Sequence, residues 1–138
     1  MVNATQLGGR IPLALLTLRL SVFLVMFMWV LDKFVKPEHA SQVFGFFYGI
    51  NGLGNTVVYG IGVVQLLIVL GFVLGARKSL TYALVLAMHG LSTIISFRQY
   101  FDPFTSPNLL FFAAWPMLAA CFTLYYLRDY DRLLTIGK

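Results

Sequence analysis

Residues 57–76, VVYGIGVVQLLIVLGFVLGA, decide how this chain must fold. Twenty consecutive residues carry no charge, and Gln65 is the one strongly polar side chain among them. At 1.5 Å per residue such a run covers about 30 Å, the hydrocarbon thickness of a bilayer. No water is available there to the backbone, so the run must satisfy its own hydrogen bonds as a helix.

Three more runs of similar length surround it. The first extends from Ile11 to about Leu31, with Arg19 as its one charge. The third runs from Leu80 to about Tyr100, uncharged until Arg98, and the fourth from Leu109 to Leu127. Across the 138 residues, 59% are hydrophobic and 11% charged. An average soluble domain has roughly a quarter charged. The reading is one all-α membrane domain over residues 1–138, with helices at about 11–35, 56–76, 80–101 and 109–128. Disorder, a disulfide scaffold and a cytosolic enzyme do not fit.

Ten Lys and Arg against five Asp and Glu give a net charge of +5. The basic residues sit at the ends of the apolar runs, which points to topology and not to nucleic acid. Arg10, Arg77, Lys78, Arg128, Arg132 and Lys138 lie on the side of both termini. Lys33, Lys36 and Arg98 lie on the other. That asymmetry predicts both termini in the cytoplasm. The first run is too long for a signal-peptide core and is read as retained. A lone cysteine, Cys121, excludes a thiol–disulfide enzyme.

The connections differ in length. Arg77-Lys78-Ser79 makes a tight turn, whereas about 20 residues, Lys36 to Asn55, join the first two spans. Residues 40–50 of that connection are aromatic and apolar but too short to cross. They predict an amphipathic or partly inserted segment capping the outer face. The architecture expected is an up-down four-helix bundle with that cap.

Two polar groupings are candidates for chemistry. Arg19, Gln65 and His89 fall at similar depths if the helices are straight, and so could form one intramembrane layer. Such a layer would hydrogen-bond a quinone carbonyl or a small anion, or would serve as polar glue between helices. No carboxylate is expected at that level. At the outer face Asp32, Lys33, Arg98 and Asp102 predict an ionic cluster, either tying helix ends together or contacting a docking partner. Haem and metal sites lack ligands: His39, the second histidine, is in the outer connection. No catalytic residue and no covalent cofactor is expected. Gly71-Phe72-Val73-Leu74-Gly75 permits close helix packing within the chain or with a second copy. Trp115-Pro116 predicts a kink, because Pro116 cannot donate to the carbonyl of Phe112.

Leu18-Arg19-Leu20, Trp29-Val30-Leu31-Asp32-Lys33-Phe34, Gly62-Val63-Val64-Gln65-Leu66-Leu67 and Gly75-Ala76-Arg77 together resemble the DoxX-like family of small four-helix bacterial membrane proteins, from about residue 13 to 130. The resemblance implies a bacterial inner-membrane protein, linked to thiosulfate:quinone oxidoreductase and other membrane redox assemblies. It departs at Gln65, where the family often has an acid, and at Asp32, where it usually has glycine. Two functions follow as expectations. One is the membrane subunit or anchor of a quinone-linked redox complex, partnered by a redox protein or other membrane subunits. The other is a non-catalytic interaction or assembly protein.

Overall fold

The computed structural model describes residues 1–137, so Lys138 lies outside it. All regular structure among the described residues is helical, and four helical stretches are long and apolar enough to cross a membrane.

Helix α1 covers Ala4–Val35, starting seven residues earlier than the apolar run. Asn3 explains the early start. Its Oδ1 accepts from the Gln6 amide at 2.9 Å and the Gln6 side chain accepts from the Asn3 amide, a reciprocal cap that satisfies two of the otherwise unpaired donors. The buried residues of α1 recur as Leu15, Arg19, Val22, Met26, Val30 and Lys33, a stripe of threes and fours that faces the core. Both charged residues of this stripe are therefore turned inward by register.

Helix α1 ends where Pro37 cannot continue it, and Pro37 instead opens helix α2, Pro37–Tyr48. Gly49, at φ 68°, closes α2 in the left-handed region. The expected segment at 40–50 is thus a helix of 12 residues that packs on α1 and α3.

Helix α3 is Asn55–Val73 and helix α4 is Lys78–Ile95. Between them Gly75 takes φ 65°, and the Ala76 amide donates back to the Gly71 carbonyl at 2.8 Å. The third span does not run unbroken to residue 101. It stops at Ser96, and a five-residue helix α5, Phe97–Phe101, follows. Ser96 Oγ donates to the Ser92 carbonyl and Tyr100 Oη to the Thr93 carbonyl, both at 2.9 Å, so the helix end is satisfied by side chains.

The fourth span is also divided. Residues Asn108–Ala113 form a 3-10 helix, and helix α6 begins only at Ala114 and ends at Tyr126. Pro116, third in α6, sits in the first turn, where a missing amide costs no intrahelical bond. The expected kink is a change of helix type just before the proline.

Helix α1 packs against α3 and α6, and α4 against α3 and α6. Val69, Phe72, Tyr82, Val85, Cys121 and Leu124 are among the buried residues that meet the α1 stripe. Helices α1 and α3 run antiparallel: a Cβ at Gly62 would lie 3.3 Å from Lys33 Cβ, and one at Gly75 would lie 3.2 Å from Arg19 Nη1. This register sets the height of every polar group.

Candidate functional site

Arg19 points inward from the middle of α1 and has no exposed surface. It faces the end of α3, the start of α4, and the chain after α6. That last segment, beginning with a short 3-10 turn at Arg128–Tyr130, folds back across the α3–α4 turn: the Ile136 amide donates to the Leu74 carbonyl at 2.9 Å.

The returning segment brings a carboxylate to Arg19. Asp131 Oδ2 lies 3.3 Å from Arg19 Nη1, with both side chains fully buried. Tyr82 Oη donates to the same oxygen at 2.6 Å, and Arg19 Nη1 reaches Tyr82 Oη at 3.3 Å. Arg19 Nη2 donates to the Leu133 carbonyl. Lys78, itself buried, donates from Nζ to the Asp131 carbonyl at 2.5 Å. Three chain segments thus converge on one pair of opposite charges. Arg19 Nε and Asp131 Oδ1 stay without a hydrogen-bond partner among the described residues.

The close approach depends on glycine. Gly75 has φ 65°, and a Cβ there would come within 2.5 Å of Thr135 Cγ2. Gly71 faces Thr81, whose Cγ2 would be 3.0 Å from an added Cβ. The Gly71–Gly75 pair is therefore used inside the chain, against α4 and the returning segment.

The expected layer of Arg19, Gln65 and His89 is not assembled. Gln65 precedes Gly75 by ten residues, about 15 Å along α3, and His89 follows Tyr82 by seven, about 10 Å along α4. Equal depth required α1 to begin near Ile11 and all helix ends to be level. Instead the Arg19 level coincides with the α3–α4 turn. The expectation of no carboxylate at that level is also corrected, since Asp131 is there. Gln65 is half-buried and lies on the inward stripe Val58, Gly62, Val69, Phe72 of α3.

His89 has a different task. Its Nε2 is 2.9 Å from the Ala114 carbonyl, which can only accept, so this nitrogen carries the proton. The contact ties α4 to the first residue of α6. Thr93 Oγ1 donates to the His89 carbonyl at 2.8 Å and Ser96 Oγ to that of Ser92, so these hydroxyls close on their own helix.

At the α2 end the four expected partners do not form one cluster. Asp32 Oδ2 is 2.7 Å from His39 Nδ1, which lies in the first turn of α2. Lys33 is buried, donates to the Trp29 carbonyl at 3.2 Å, and has its ammonium 5.9 Å from the Phe44 ring centre. Arg98 and Asp102 are exposed, and Arg98 stacks over its neighbour Phe97. Among the described residues no ion pair joins Arg98 or Asp102 to each other or to α1. The break after Ser96 separates α5 from the α4 helix that was to carry both.

Sequence reasoning missed Asp131, and a signal for it existed. Of the five acidic residues, Asp32, Glu38 and Asp102 fall on the α2 side, leaving Asp129 and Asp131 near the Arg19 end. A buried arginine needs a partner, and the choice was between those two. No family model, no curated protein and no solved structure matches the chain.

Proposed function

We propose that this chain is a non-catalytic interaction or assembly protein of a bacterial plasma membrane, an up-down bundle of four spans with both termini cytoplasmic. The observation that carries this reading is the engagement of Arg19. Asp131, Tyr82 and the Leu133 carbonyl already occupy its terminal nitrogens, so its chemistry is directed at closing one end of the fold. A quinone subunit built on Arg19 with Gln65 and His89 would need those donors free and near one another.

The outward faces support the same reading. Leu24, Leu67, Ile94 and Leu110 are among the large apolar side chains left uncovered, on all four spanning stretches. Such a surface suits lipid or the helices of another membrane protein. The excess of Lys and Arg on the side of both termini supports the orientation, and the DoxX-like resemblance is consistent with a small membrane component.

The test is quinone content and neighbours together. Purified in mild detergent, the chain is expected to carry no stoichiometric quinone, while a photo-crosslinker at Leu67 or Ile94 should trap a specific membrane protein in cells. One quinone per chain, lost on His89→Ala, would overturn the proposal in favour of the redox subunit. Reporter fusions at residue 138 and within residues 40–50 test the orientation.

A further inference from the structure

Beside the buried pair, the returning segment and the start of α4 enclose a depression of about 340 Å³, lined by Lys78, Asp129, Arg132, Thr135 and Gly137. The Arg19–Asp131 contact does not use this space. Lys78 forms one wall: it is 6% exposed and, among the described residues, its three-donor ammonium donates to the Asp131 carbonyl alone. Arg132 is exposed, and its Nε donates to the Asp129 carbonyl at 3.2 Å, which anchors the guanidinium base and leaves the terminal nitrogens for an external group. Thr135 Oγ1 is 3.3 Å from the Arg132 carbonyl.

Two cations in one depression suit a phosphate, which accepts several charge-assisted hydrogen bonds at once. The Asp129 carboxylate opposes a bare anion but would accept from a hydroxyl or ammonium attached to one. Exposed Tyr130, Leu133, Leu134 and Ile136 lie on the same returning segment and present apolar surface next to the charges. We propose that this depression binds the headgroup of an anionic phospholipid that carries its own donor, such as phosphatidylglycerol, with phosphate on Lys78 and Arg132 and the headgroup hydroxyl on Asp129. The lipid source rests on the membrane reading above, whereas binding of a phosphate group by Lys78 and Arg132 does not.

The experiment follows the melting of the full-length chain in mild detergent as phosphatidylglycerol, phosphatidylcholine or inorganic phosphate is added. Phosphatidylglycerol should raise the melting temperature of the wild type and phosphatidylcholine should not. Arg132→Gln should weaken the phosphatidylglycerol effect about fivefold, near the upper end for one solvent-exposed charge contact. Asp129→Asn should weaken it too, without weakening any response to inorganic phosphate. Arg10→Gln, a basic change on the protruding start of α1, should leave the response intact. An equal response to both lipids, or equal responses of Arg132→Gln and Arg10→Gln, would overturn the site. A shift reproduced fully by inorganic phosphate would overturn the headgroup while keeping the phosphate contact. Should Arg132→Gln melt abnormally without lipid, Arg132→Met takes its place, and an undiminished response there counts against the site.

Discussion

At the end of the molecule holding the α3–α4 turn, Tyr82 and Asp131 meet across 49 residues of chain, and Arg19 and Tyr82 across 63. At the α2 end the polar contacts join near neighbours, Asp32 with His39 seven residues on and Lys33 with Trp29 four residues back. The first set is sealed from solvent, while the His39 side chain is half exposed. Polar residues of similar type therefore have unequal weight. A buried charge is costly to take from its surroundings and is tolerated only with its partner in place, so the long-range set holds distant segments together. The local set restrains one helix junction and is screened by solvent.

The largest effect should come from breaking the buried pair on one side. Asp131→Asn leaves the Arg19 charge uncompensated and should cost about 3–5 kcal/mol, read as a large drop in melting temperature in detergent. Arg19→Leu should cost a similar amount. The double variant Arg19→Leu/Asp131→Asn should cost clearly less than the two single losses added, because neither charge is then stranded. Additive losses would show that the two side chains are not coupled and would erase the contrast between the ends.

A change that touches only the closure comes next. Gly75→Ala puts a Cβ into Thr135 at a backbone conformation that L residues rarely adopt. It should destabilise by about 1–3 kcal/mol. Faster proteolysis of residues 128–137 should accompany it, while cleavage in the 49–54 connection stays unchanged. Equal acceleration at both places would mean that the returning segment is not held by the glycine contact.

The smallest effects belong to the α2 end. His39→Ala should change stability by under about 1 kcal/mol, the usual range for a partly exposed ion pair. Arg98→Ala or Asp102→Ala should stay within about 0.5 kcal/mol, since each is exposed and outside any ion pair among the described residues. A loss at Arg98 as large as that at Asp131 would reveal a contact that this end is not seen to make, and would make the two ends alike.

Four helices of spanning length were legible in the sequence because apolarity summed over some 18 residues does not depend on how helices rotate or on what they touch. The segment at 40–50 was legible for the same reason, as an apolar stretch of insufficient length. Helix boundaries were less so: the Asn3–Gln6 cap and the Ser96 break are decided by a few side-chain hydrogen bonds, which the apolar pattern does not register. The candidate site was legible only by residue type. Arg19 stood out as a costly charge in an apolar run, but a straight-helix count placed it level with His89. Its actual level and its partner follow from the antiparallel register of α1 on α3 and from the chain after Leu127 turning back over Gly75. The sequence by itself thus determined which segments are long and apolar enough to cross a membrane, a property of composition. Which charges meet is a property of three-dimensional closure, and only the tertiary structure decided it.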